Sequence, residues 1–177
     1  QEIGRSKPVY IVAEACDNHF GNIQTAEKMV LEAKLSGCDA VKFQHHLPDE
    51  EMLPNVPMSS NFNEPLYEFL KRCSLTIEQH QRLKKYCESI GIQYLCTPFS
   101  YKAATELAKI GVQALKIGSG EMTDMPSLEK MARTLRLPMI ISTGMANYRD
   151  IDKAINIIVT IYYICFFRRN NFFNRIK

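Results

Sequence analysis

The chain has 177 residues, 46% hydrophobic and 23% charged, an ordinary composition for a folded domain that excludes the low-complexity and disordered classes. Its formal charge of +3 belongs to the C-terminal end, where Arg168, Arg169, Arg175 and Lys177 have no acid beside them. The body is therefore near neutral, and nucleic-acid binding is not expected.

The six cysteines, at positions 16, 38, 73, 87, 96 and 165, show neither CxxC nor zinc-finger spacing. Scattered thiols of this kind suggest a reducing compartment, so a cytoplasmic location is expected. The opening QEIGRSKP is polar and gives no signal-peptide pattern. The apolar run 161–167 is too short to span a bilayer, so no membrane partner is expected.

Apolar runs then alternate with amphipathic helix patterns. VYIVA (9–13) predicts a strand. Residues 23–36 predict a helix, with Ala26, Met29, Val30 and Ala33 on one face and Gly37 at its end. AVKFQ (40–44) is the second strand. About thirty residues rich in Pro, Asn, Ser and acids follow, too many for an ordinary βα connection, which predicts a functional loop or lid. Residues 76–90 predict a helix, with Thr76 and Gln79 spaced for a capping box and Gly91 as the stop. QYLC (93–96) is a strand and 101–110 a helix ended by Gly111. ALKI (114–117) is a strand, and Pro126 fits the first turn of a helix reaching about Leu135. MIIS (139–142) is the fifth strand, and a helix runs from Tyr148 to about Val159.

Alternating β and α elements with Val/Ile/Leu-rich strands imply an α/β fold with a parallel sheet. No GxGxxG follows the first strand, which removes the main support for a dinucleotide-binding fold. The pattern instead fits the first five units of a (β/α)8 TIM barrel, whose full length is roughly 250 residues.

In such a barrel the chemistry sits at the C-terminal strand ends. Those ends carry Glu14, Asn18 and His19; Lys42 and Gln44; Thr97; Lys116, Ser119 and Glu121; and Ser142 with Thr143. Lys42 and Lys116 lie inside apolar runs, where an unpaired ammonium is expensive. Each needs a carboxylate partner such as Glu14 or Glu121, an anionic ligand, or access to the barrel mouth, and a Schiff-base lysine is a second functional option. Convergent hydroxyls from Thr97, Ser119, Ser142 and Thr143 favour a phosphate and carboxylate site. Glu14 and Glu121 fit either acid–base work or salt bridges. His19 fits a structural hydrogen bond or a ligand role, and His45 and His46 could line the mouth, though neighbouring residues point in different directions.

AEACDNHFGN, AVKFQ, CTPF, LKIGSGEMTD and ISTGM, in this order and spacing, resemble the N-acetylneuraminate (sialic acid) synthase family over about residues 5–158. The family includes synthases of legionaminic and pseudaminic acids and spore-coat polysaccharide enzymes. The resemblance implies a TIM-barrel catalytic domain. It also implies condensation of phosphoenolpyruvate with an N-acetylated aminosugar of the N-acetylmannosamine type, for surface polysaccharide biosynthesis. Carbon 3 of the enol attacks the sugar aldehyde, water adds at carbon 2, and phosphate leaves with C–O cleavage. A divalent metal (Mn2+ or Mg2+) is implied as cofactor, its histidine ligands lying on later strands than those present here. A domain-swapped homodimer is implied as the assembly. The resemblance assigns Lys42, Thr97, Lys116, Ser119 and Ser142 to phosphoenolpyruvate. It assigns Glu14, Gln44 and Glu121 to the reacting centre and the sugar, with Glu14, Lys116 and Glu121 as the catalytic group. Asn61 or Asn63, with Asn63 preferred, is a further substrate contact. Cys16–Asp17 and Cys96 depart from the family's usual residues.

The family pattern stops near residue 159, which divides the chain into 1–159 and a tail, 160–177, without Gly, Ala, Asp or Glu. Two origins are open for the tail: out-of-frame translation of an AT-rich gene, or a short genuine extension. Five of eight units leave sheet edges uncovered, so a fragment without catalysis is the alternative expectation for the isolated chain.

Overall fold

The computed structural model describes residue 4, residues 6–55, residue 58 and residues 63–173, with side chains described as far as residue 162. The order is β1 (Val12–Cys16), α1 (Ile23–Leu35), β2 (Ala40–His45), α2 (Pro48–Glu51), α3 (Leu66–Cys73), α4 (Ile77–Ile90), β3 (Gln93–Pro98), α5 (Tyr101–Lys109), β4 (Leu115–Ile117), a 3-10 turn (Glu121–Thr123), α6 (Met125–Thr134), β5 (Met139–Ile141) and α7 (Tyr148–Phe173). All strand pairs are parallel: β1 with β2, β2 with β3, and β4 with β5. β4 lies alongside β3 without a ladder between them. Among the described residues β1 and β5 do not pair, so the arrangement is a partial barrel.

The pleat sorts the strand side chains. Ala15, Val41, Phe43, Tyr94, Cys96, Leu115 and Ile117 face the helices, where they join Ala26, Val30, Leu83, Leu107, Leu128 and Ala154 in one buried core. The alternate residues, Glu14, Lys42, Gln44, Thr97 and Lys116, face the other side. The core thus lies between sheet and helices, and the inner face is left for polar groups.

Local chemistry sets the helix ends. Thr76 Oγ1 accepts from the Gln79 amide at 3.3 Å while Gln79 Oε1 accepts from the Thr76 amide at 2.8 Å, completing the expected capping box. Asn22, Ser100 and Asp124 cap α1, α5 and α6 with a single side-chain oxygen that accepts from the amide three residues on. Gly91 closes α4 in the left-handed region at φ +72°.

Three elements differ from the sequence reading. β1 occupies 12–16 rather than 9–13, because the ladder begins at Val12↔Ala40 and residues before it have no neighbouring strand. Ile11 instead donates its amide to the Asp39 carboxylate at 2.8 Å. The long connection after β2 is partly folded: α2 and α3 lie in it, and Tyr67, Leu70 and Cys73 are buried. α7 runs to Phe173, past the expected end at 159, because residues 148–173 contain no Gly or Pro to stop it.

The turn after β1 rests on a glycine. Gly21 has φ +77°, and a Cβ there would stand 2.8 Å from the Arg72 carbonyl oxygen at the end of α3. Gly21→Ala combines a left-handed alanine with a backbone clash, and is expected to cost about 2 kcal/mol or more in urea unfolding. A change within 0.5 kcal/mol of wild type would show that α3 moves aside freely.

Candidate active site

Register places the inner-face groups in rows. Glu14 pairs with Lys42 across β1 and β2, and Gln44 stands opposite Thr97 across β2 and β3. Lys42 is only 9% exposed and its ammonium forms an ion pair with the half-exposed Glu14 carboxylate. One lysine is therefore satisfied by the carboxylate partner that the sequence left as one of its options.

Lys116 has a different neighbourhood. Its Nζ donates to the Ile117 carbonyl at 3.0 Å and to the Ser142 hydroxyl, with no carboxylate in hydrogen-bond contact among the described residues. Burial first, and then the charge of Lys42, hold its pKa below the usual lysine range, against the pull of Glu14 and Glu121. Two ammonium groups thus act on one another across the inner face, which is unfavourable unless an anion joins them. The Ser142 amide donates to the Ile117 carbonyl at 3.0 Å, fixing the strand end that carries its hydroxyl.

The turn after β4 brings in Glu121. A Cβ at Gly118 would collide with the Glu121 carboxylate and would meet the Thr97 methyl at 3.7 Å, so glycine is required for Glu121 to fold back over this turn. Burial above all, helped by the charge of Glu51, raises the Glu121 pKa, while its backbone contact, His46 and Lys116 pull it down. Ser119 is half-buried and faces the β5 turn, its Cβ 4.0 Å from a Cβ built on Gly144. Thr97 is 3% exposed at the end of β3.

The structure therefore brings Glu14, Lys42, Gln44, Thr97, Lys116, Ser119, Glu121 and Ser142 to one inner face and rim. Asn63 stands apart: it is exposed ahead of α3 and makes no hydrogen bond to the strand-end group among the described residues. Asn61 lies outside the described residues. Among the described residues, no group of three His, Cys, Asp or Glu side chains is placed to hold a metal ion. A divalent metal thus finds no ligand set among them, and no step below is routed through one. No helix among the described residues is long and apolar enough to cross a membrane.

Sequence reasoning missed the carboxylates around His46. Asp17 and Glu51 flank its ring, and both side chains are mostly buried, at 12% and 5% exposure. The signal available was Asp17 itself, an acid placed in the turn directly after β1. His19 proves structural: its Nδ1 accepts from the Gly21 amide at 3.1 Å and fixes the turn.

Comparison with known proteins adds the ancestry. The sequence pattern described as the NeuB family matches residues 29–171. An N,N'-diacetyllegionaminic acid synthase of Legionella pneumophila is 38% identical over 169 residues, covering 90% of this chain and 46% of its own length. The crystal structure of a sialic acid synthetase from Leptospira borgpetersenii, in complex with citrate, superposes with a TM-score of 0.75 at 28% identity, over 92% of this chain and 56% of that one. A spore coat polysaccharide biosynthesis protein, SpsE of Bacillus subtilis, superposes with a TM-score of 0.73 at 30% identity, over 90% of this chain and 42% of that one. The chain spans about half the length of the curated relatives it matches.

Proposed function

Because the chain belongs to the NeuB family, we propose that its inner face is the phosphoenolpyruvate half of a synthase site on a TIM barrel, and that the acceptor is an N-acetylated aminosugar. The observation that carries this reading is the pair of lysines. Lys42 is already balanced by Glu14, whereas Lys116 is partly desolvated, donates to the Ser142 hydroxyl, and touches no carboxylate among the described residues. A ligand with two anionic ends, a carboxylate and a phosphate, would relieve the repulsion between the ammoniums.

In this reading Lys42 and Lys116 hold the two anionic ends, and Thr97, Ser119 and Ser142 supply hydroxyl contacts. Glu121, held above its ordinary carboxylate range by burial, is suited to hold or move a proton at the reacting centre. Glu14 and Gln44 face the acceptor, with Asn63 as a further substrate contact. Condensation forms one carbon–carbon bond, water supplies the oxygen at carbon 2, and inorganic phosphate leaves. The acceptor is of the N-acetylmannosamine type. The alternative acceptors are those of legionaminic or pseudaminic acid synthesis, which the relative from Legionella pneumophila favours by its name.

The test is calorimetric titration of phosphoenolpyruvate into the chain. Lys116→Met removes the unbalanced charge and is expected to weaken binding roughly tenfold or more. Phosphate release with N-acetylmannosamine and manganese, measured alongside, reports turnover. Equal affinity in wild type and Lys116→Met would refute the anion site.

A further inference from the structure

All four histidines of the chain are buried, and His46 differs from the others in what surrounds it. Both of its ring nitrogens meet acceptors. Nδ1 lies 3.0 Å from each carboxylate oxygen of Glu51. Nε2 lies 3.2 Å from Asp17 Oδ2 and 3.3 Å from Gln44 Oε1. A neutral imidazole carries a single N–H, so one of these carboxylates would face a lone pair. With both nitrogens protonated every contact is a donor meeting an acceptor, and the ring is a cation.

The same geometry decides the amide of Gln44. Asp17 requires the N–H on Nε2, so the Gln44 group facing that nitrogen is its oxygen, and its NH2 points away from the ring. The ring itself cannot drift, because it stacks on Phe99 at 4.0 Å between centroids and 24° between planes. His46 thus joins three segments: the turn after β1 through Asp17, α2 through Glu51, and the end of β3 through Phe99.

We infer that His46 is a positioning residue: clamped as a cation between Asp17 and Glu51, it fixes the orientation of the Gln44 amide and so presents the Gln44 NH2 to the acceptor sugar on the inner face. The presentation to sugar rests on the function proposed above; the clamp itself does not. The charged and titratable groups around His46 are Asp17, Glu51 and Glu121, which favour its charge, and His45 and His80, which oppose it. Burial works against the cation, but the hydrogen bonds and charges of Asp17 and Glu51 outweigh it and raise the pKa to about 9.

Two measurements on the full chain test this. The first is NMR of the Gln44 side-chain amide and the His46 ring nitrogens across pH 6 to about 10, a range set by the raised His46 pKa. The Gln44 NH2 pair is expected to be rigid at neutral pH and to shift with the same midpoint as the His46 ring. In His46→Phe, which keeps the stack on Phe99, the pair should become mobile. In Glu51→Gln the shared midpoint should move down toward the ordinary histidine value. A Gln44 amide that is mobile in wild type, or that ignores the His46 titration, overturns the clamp without any substitution. The second is binding: His46→Phe should weaken N-acetylmannosamine roughly tenfold while phosphoenolpyruvate affinity holds. Equal loss for both ligands would mean general disruption and would sink the positioning role. If wild type binds neither ligand, the proposed function fails, and the NMR result still decides the clamp.

Discussion

Phe43→Ala is expected to destabilise the chain by about 3–5 kcal/mol, the cost of emptying a site of this size in a packed core. Phe43 is fully buried at the middle of β2. Its ring stacks on Tyr94 at 6.0 Å and 18°, and stands 5.9 Å from the ring of His19. It belongs to the same cluster as Val30 of α1 and Leu83 of α4, so the cavity would open where two helices meet the sheet. Neighbours on a paired central strand cannot collapse into that space without breaking the ladders to β1 and β3. Urea unfolding followed by circular dichroism gives the number, and Phe43→Leu, which keeps much of the volume, should lose clearly less. A loss below 1 kcal/mol for the alanine variant would mean that this core is not packed as described. The residue matters to function as well: Lys42 and Gln44 are its chain neighbours and point the opposite way, so the packing of Phe43 sets their position.

That alternation explains why so much of the site was legible in the sequence. VKF and LKI place a lysine in the middle of an apolar run, and a two-residue period allows only one face for it. Once the strands are placed, Lys42 and Lys116 must share the face opposite Phe43 and Ile117. The capping box at Thr76 and the stop at Gly91 were legible for the same reason, being local chemistry. What was not legible depends on contacts far apart in sequence. The start of β1 is set by its partner Ala40, so the apolar run 9–13 suggested the wrong limits. The partition of the lysines, one balanced by Glu14 and one left to the Ser142 hydroxyl and a backbone carbonyl, depends on register and not on residue type. Asp17 and Glu51 meet on His46 although 34 positions separate them, and no local pattern announces such a pair. α3 escaped notice because it is only eight residues long: Tyr67, Leu70 and Cys73 form its buried face, while Leu66 and Phe69 blur the pattern among Glu68, Lys71 and Arg72.

Stability of the chain should fall below pH 6.5 and again as pH rises through about 9, and the two sides have different histidines behind them. His80 and His45 are buried together, their rings 4.7 Å apart and edge-on. His80 bonds the Tyr94 hydroxyl at 2.7 Å, and His45 bonds Glu106 at 2.8 Å. Burial is the main cause that lowers the pKa of His80, His45 and His19 below the ordinary 6.5. For His80 the neighbouring histidines add to it; for His45 and His19 the carboxylates of Glu106 and Asp17 oppose it. A histidine whose folded pKa is depressed binds its proton first in the unfolded chain. Its contribution is present above 6.5 and lost as pH falls, with a slope of about 1.4 kcal/mol per pH unit for each histidine still neutral in the fold. His46 has the opposite sign. Its pKa is raised to about 9, so its contribution is complete below 6.5 and is lost as pH rises through about 9. Urea unfolding between pH 5 and about 10 should therefore show a maximum between these limits, with the alkaline flank steepened by the thiols of Cys87 and Cys96, which burial pushes up to about 12. His80→Gln cannot titrate and keeps a hydrogen-bonding group toward Tyr94. It should lower the maximum yet flatten the acid flank by about 1.4 kcal/mol per pH unit. An acid flank of unchanged slope in that variant would show that His80 already carries its proton in the folded chain, and that the fold tolerates a charge where its core places none.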